Sequence, residues 1–155
     1  GNDYISGSDA GDQIRIGDAG NDVYMWFGSD SADDTIVNSI TGANMGNDRA
    51  YIGAALFECF WSWSESSSDL LLAVGTATLT FQNWLLGTNY QVDTIAFGDG
   101  TTVTNTDINN VLSEISSMGY AMGYIDTPIG KVIAGDVADD DLLLAVDPFS
   151  DSKVG

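Results

Sequence analysis

Polar and apolar positions alternate along this chain in two textures, which change near residue 50. In the first stretch a glycine, a polar residue and an aspartate come before each apolar burst. The phrase reads Gly1-Asn2-Asp3-Tyr4-Ile5, then Ala10-Gly11-Asp12-Gln13-Ile14, Gly20-Asn21-Asp22-Val23-Tyr24 and, more loosely, Gly46-Asn47-Asp48-Arg49-Ala50. The residue two past the aspartate, Ile5, Ile14 or Tyr24, is apolar and is expected on a short strand, facing inward. Repetition at a nearly fixed period means that each unit buries its apolar side chain only by stacking on its neighbours. Residues 1–50 are therefore expected to form a solenoid.

Beyond residue 50 the apolar runs lengthen. Trp61-Ser62-Trp63-Ser64 and Thr78-Leu79-Thr80-Phe81 alternate with period two, the mark of strands with one buried face. Asp69-Leu70-Leu71-Leu72-Ala73-Val74 is apolar after its first residue, which predicts a strand covered on both faces, with a buried helical turn as the alternative. Asp99-Gly100, between Thr94-Ile95-Ala96-Phe97 and Thr101-Thr102-Val103-Thr104, signals a hairpin. Ile108, Val111, Leu112, Ile115 and Met118 recur at spacings of three and four and predict a helix, with Thr106 and Asp107 capping its start and Gly119 ending it. Asp141-Leu142-Leu143-Leu144-Ala145-Val146 then repeats residues 69–74 letter for letter. Such a copy can be a second strand of the same sheet, or an edge strand that adds to a neighbouring molecule.

Composition narrows the chemistry. The chain has 23 acidic and 4 basic residues, a formal net charge of −19 and no histidine. So large a negative charge opposes compaction, and bound cations relieve it directly. Nucleic acid and anionic membrane surfaces are excluded as expected partners, since both demand Lys/Arg patches. Without histidine there are no His-based triads and no His-ligated zinc, so the chain is not expected to be an enzyme. The lone Cys59 lies in an apolar run and suits a small buried hydrophobe better than a nucleophile. No run of 18 apolar residues is present and no basic segment precedes an apolar one, so neither a membrane span nor a signal peptide is expected. Gly1-Asn2-Asp3 reads as the tail of a repeat whose front half is missing, which predicts a longer parent chain.

The repeat has a chemistry of its own. Glycines permit tight turns that aim carbonyl oxygens at one point, and an aspartate at the end of each turn adds a carboxylate. An all-oxygen cage of this kind suits calcium, which takes six to eight oxygens, more readily than magnesium. The bland alternative is that these Gly/Asn/Asp clusters are ordinary β-turns.

The stretch resembles the nonapeptide repeats of the RTX (repeats-in-toxin) family, Gly-Gly-x-Gly-x-Asp-x-apolar-x. Gly17-Asp18-Ala19-Gly20-Asn21-Asp22-Val23-Tyr24-Met25 matches that pattern except at the second glycine, and residues 7–15 are a poorer copy. The resemblance implies a parallel β-roll with calcium between turns stacked on one side. Gly17, Ala19 and Asn21 would then offer carbonyls and Asp22 a carboxylate, with Gly7, Asp9, Gly11 and Asp12 doing the same across the roll. The aspartate spacing drifts from nine (Asp3 to Asp12) to ten (Asp22), twelve (Asp34) and fourteen (Asp48). Asp3 and Asp22 are expected on one side, Asp12 and Asp34 on the other, with about two to four calcium ions shared between turns. Asp22 belongs to the better repeat and is expected to matter more for calcium than Asp48.

Residues 65–108 resemble the haemolysin-type calcium-binding-related domain that follows RTX repeats. The resemblance rests on Asp69-Leu70-Leu71-Leu72, Leu79-Thr80-Phe81-Gln82-Asn83-Trp84 and Val92-Asp93-Thr94-Ile95-Ala96-Phe97-Gly98-Asp99-Gly100-Thr101, with Asp93 where that family has glutamate. A solenoid needs a terminal unit to cover its core, so this segment is expected to be the cap, with Trp84 and Phe97 inside it. The alternative use of Trp61, Trp63 and Trp84 is a sugar-binding platform.

The expected architecture is mainly β. Degenerate β-roll repeats occupy residues 1–50, a β-rich cap 51–108, and a helix followed by a C-terminal strand or secretion-signal region 109–155. The expected function is a secreted, extracellular or cell-surface calcium-binding module that folds on calcium and serves a structural or adhesive protein, with self-association through edge strands as an open partner. The alternative is the C-terminal secretion and folding module of a type I secreted hydrolase whose catalytic domain lies upstream.

Overall fold

Each described repeat of the first stretch delivers a three- or four-residue strand. The computed structural model describes residues 1–7, 14–27, 33–43, 46–64, 67–117, 123–127, 130–137 and 141–147. Strands β1 (Tyr4–Ser6), β3 (Val23–Trp26) and β5 (Arg49–Ile52) pair side by side and parallel, while β2 (Ile14–Ile16) and β4 (Asp34–Val37) pair parallel in a second sheet. The chain thus alternates between two sheets as it advances.

The later strands extend both sheets. After β6 (Cys59–Ser64) and β7 (Asp69–Val74), β8 (Ala77–Phe81) continues the second sheet parallel to β4. Then β9 (Thr94–Phe97) continues the first, parallel to β5, and turns back through Asp99-Gly100 into antiparallel β10 (Thr102–Thr104). Gly100 takes φ +87°, a left-handed conformation that glycine adopts without steric cost. Beyond the single described α-helix, α1 (Asn105–Ser117), come β11 (Gly123–Thr127), β12 (Gly130–Val137) and β13 (Asp141–Asp147). The sheets run β1-β3-β5-β9-β10 and β11-β12-β13-β6-β7-β8-β4-β2. Both are mixed rather than parallel throughout. Parallel neighbours need long crossovers, whereas β7 and β8 are joined by a two-residue turn, Gly75-Thr76, that permits only antiparallel pairing.

The inner faces of both sheets meet in one core. Tyr24, Trp26, Ala50, Ile52, Ile95 and Phe97 come from the first sheet, and Ile36, Trp61, Trp63, Leu70, Leu72, Leu79 and Phe81 from the second. Trp61 meets Phe97 edge to face at 6.2 Å across them. Trp61, Trp63 and Trp84 are buried, so the sugar-platform reading of these rings does not hold. Strand β7 buries Leu70 and Leu72 but leaves Leu71 and Ala73 half-buried, so it is covered on one face, not two. That is the ordinary condition of an antiparallel strand with one side on the core.

One further expectation changes in detail. The helix begins at Asn105, capped by Thr104 in place of the expected Thr106, together with Asp107: the Thr104 hydroxyl accepts the Asp107 N–H (3.1 Å) and the Asp107 carboxylate accepts the Thr104 N–H (3.0 Å). This reciprocal pair satisfies donors that a bare helix start would leave open. Gly119 lies outside the described residues. The two Asp-Leu-Leu-Leu-Ala-Val copies flank β6 in the same register, Leu72 and Leu144 both opposite Trp61, Leu70 and Leu142 both opposite Trp63. No described helix is long and apolar enough to cross a membrane.

Candidate metal centre

Parallel pairing in register stacks the turns that precede the strands of the first sheet. Tyr4 lies opposite Val23, Val23 opposite Arg49, and Arg49 opposite Thr94, so Asp3, Asp22, Asp48 and Asp93 form one column. Each aspartate holds the next by the same bond. The Asp3 N–H donates to Asp22 Oδ1, the Asp22 N–H to Asp48 Oδ1 and the Asp48 N–H to Asp93 Oδ2, all at 2.8 Å. Asparagines tie the stacked turns in the opposite sense: Asn2 Oδ1 accepts the Asn21 N–H at 2.9 Å and Asn21 Oδ1 the Asn47 N–H at 2.8 Å. Glycine is required beside them. A Cβ on Gly20 would lie 1.9 Å from the Gly1 carbonyl oxygen, and one on Gly46 1.4 Å from that of Gly20.

Asp22 and Asp48 are both fully buried, yet their surroundings differ. Asp48 has Oδ1 on the Asp22 N–H and Oδ2 on the Asn38 amide nitrogen, 2.8 Å each. Asp22 has Oδ1 on the Asp3 N–H, while its Oδ2 is buried with no hydrogen-bond partner. Burial pushes the Asp22 carboxyl above its ordinary value, the Asp3 N–H pulls it back, and the Asp48 and Asp3 carboxylates raise it again. The Tyr24 hydroxyl, raised chiefly by burial and then by the charges of Asp22 and Asp48, donates to Asn38 Oδ1 at 2.7 Å. Gly17 closes this corner, since a Cβ there would meet the Tyr24 hydroxyl at 2.2 Å and Asp22 Oδ2 at 2.4 Å.

The remaining sequence-expected residues distribute as follows. Asp3 is exposed at the outer rung, and Asn21 is an exposed tie between stacked turns. The Ala19 carbonyl accepts a hydrogen bond from the Gly1 amino group at 2.7 Å. The Gly7 carbonyl accepts the Ser6 hydroxyl at 3.3 Å. Asp34 is buried at the start of β4, opposite Leu79 in the second sheet, and so stands apart from the Asp48 column. Asp9, Gly11 and Asp12 lie outside the described residues.

At one level the fold leaves a buried acidic oxygen without a hydrogen-bond donor. An unmatched buried carboxylate oxygen costs about 1–3 kcal/mol or more, and Asp22 Oδ2 offers one against the bare backbone of Gly17. Among the described residues no three or more acidic or cysteine side chains converge as a metal cluster. Further oxygens at Asp22 would have to come from backbone carbonyls, which calcium accepts.

The segment that carries β7 to β10 and the start of α1 has a known relative. Residues 69–107 match the haemolysin-type calcium binding protein related domain. This haemolysin-related segment, which supplies Asp93 to the column and Gln91 to the network around Asn38, supports an RTX-related, calcium-binding kinship. No curated protein matches the chain.

Sequence reasoning missed Asn38, Gln91 and the place of Asp93. For Asp93 a signal existed, because Asp93-Thr94-Ile95 repeats the aspartate-x-apolar phrase of Asp22-Val23-Tyr24. Asn38 announces itself only as a polar residue closing the apolar pair Ile36-Val37. Cys59 is buried as expected, its thiol pushed up to about 12 by burial first and then by Glu58 and Asp99.

Proposed function

We propose that this chain is a calcium-binding β-roll module of the RTX kind, closed by its haemolysin-related segment and serving as a structural or adhesive element of a secreted, surface-exposed protein. The strands that alternate between two sheets are the coils of the roll. The observation that carries the reading is Asp22, a fully buried carboxylate with one unmatched oxygen in a chain of net charge −19. Calcium supplies positive charge to oxygens that the fold has already gathered. Asp22, assisted by carbonyls of the Gly17–Asn21 turn, holds it; Asp3 and Asp48 fix the height of the coils above and below; and the corresponding residues of the opposite turns are Gly7, Asp9, Gly11, Asp12 and Asp34. The module binds and folds; it does not catalyse.

Where calcium is scarce, as in a cytosol, the acidic chain stays loose enough to be exported. At the millimolar calcium found outside cells the repeats close, because binding free energy is folding free energy for such sites. Excess chelator is therefore expected to remove most β-structure from residues 1–50, and a circular dichroism spectrum that chelator leaves unchanged defeats the reading. By calorimetry Asp22→Ala is expected to weaken calcium binding more than Asp48→Ala.

A further inference from the structure

Asn38 is buried and its hydrogen bonds fix which end of its amide is which. Its Oδ1 accepts from the Tyr24 hydroxyl (2.7 Å), while its Nδ2 donates to Asp48 Oδ2 and to the Gln91 carbonyl, 2.8 Å each. A carboxylate and a carbonyl can only accept, so the atom between them must be the nitrogen. Its backbone carbonyl also accepts the Asp18 N–H at 3.1 Å, so one residue joins β3 with its preceding turn (the second coil), the turn before β5 (the third coil) and the haemolysin-related segment (the cap). Gln91 passes the connection on, its side chain bonded to the Trp84 carbonyl (2.8 Å) and to Asn109 of α1 (2.8 Å).

A carboxylate oxygen and a backbone carbonyl converging on one point are the ligand types of a hard cation. At the Asp48 level that point is filled by the Asn38 nitrogen; one level away, Asp22 Oδ2 has no such donor. We propose that the Asn38 amide stands in for a cation at the Asp48 level. The junction between the third coil and the cap is then completed by the protein itself, and calcium dependence is confined to the levels that lack an amide. This rests on the reading of the repeats as calcium sites.

Asn38→Asp places an oxygen where the nitrogen was, so that three oxygens face one another with no donor among them. Titration with calcium chloride is expected to count one more bound ion in this variant than in the parent. Its melting temperature is expected to fall in chelator and to recover in calcium to within about 3 °C of the parent, because a ligand bound only by the folded state stabilises it. Asn38→Ala, with neither donor nor ligand, is expected to lose the same number of degrees in both media. An unchanged ion count in Asn38→Asp overturns the proposal, as does an equal loss with and without calcium. Failure of that variant to fold even in calcium also overturns it. A parent that binds no calcium beside an Asn38→Asp variant that binds one sustains the proposal and removes the calcium reading of Asp22.

Discussion

Two glycines and one asparagine show how little freedom the stacked turns leave at single positions. The carbonyl oxygens of Gly1 and Gly20 occupy the space that a Cβ on Gly20 and Gly46 would need. Gly46→Ala must therefore push neighbouring turns apart, and is expected to cost more than about 3 kcal/mol in urea unfolding, the range that signals backbone or core disruption. Asp99 carries a different cost. Burial alone would raise its carboxyl, but the N–H and hydroxyl of Thr101 and the N–H of Leu56 outweigh burial and hold it below the ordinary 3.8. A depressed carboxylate stabilises the fold at pH above its unfolded value, and that stabilisation is lost as pH falls through the folded value. Thermal melts of Asp99→Asn below about pH 4 are thus expected to depend less steeply on pH than those of the parent. Asp22 and Asp48 are legible from their motif; that one has a spare oxygen and the other none is not, because the difference comes from Asn38, in the bend just past β4.

At the scale of elements, short strands work because their neighbours are in register. Each of β1, β3 and β5 is too short to stand alone, and each is held by parallel pairing plus the aspartate and asparagine ties at its entry. The period-two runs predicted β6 and β8 correctly, since alternation follows from the pleat alone. The apolar run of β7 misled about its outer face, because apolar residues there need only partial cover. The helix pattern was right in kind and one capping residue wrong, as helix starts are decided by side-chain bonds that periodicity does not register. Removing the Thr104 hydroxyl leaves the Asp107 N–H without its acceptor, so Thr104→Ala is expected to lower stability by about 1 kcal/mol in chemical denaturation. A loss within error of zero shows that solvent replaces this cap without cost. The copies in β7 and β13 share one partner strand, a relation that sequence identity suggests but cannot place.

For the whole molecule, charge and packing act against each other. A net charge of −19 repels itself, while one core draws both sheets together. Without calcium, the repulsion is unrelieved except by dissolved salt, which screens charges over about 3 Å at 1 M and 30 Å at 0.01 M. The melting temperature of the chelated protein is accordingly expected to rise with sodium chloride, and to rise less when calcium is present. Salt-independent melting in chelator shows that self-repulsion does not limit the fold.

The repeat of glycine, polar residue, aspartate and apolar residue was enough, on sequence alone, to set a mainly β chain with stacked turns and an oxygen-rich column, because turn geometry and the pleat are local consequences of residue type. Which turns stack was not local. Asp93 stands 45 residues beyond Asp48 and yet is its neighbour, and the side-chain partners of Asn38 lie at positions 24, 48 and 91. Those pairings, and with them the division between a carboxylate satisfied by protein and one left open, arise only when two sheets close on a shared core and bring distant polar atoms to within hydrogen-bonding distance.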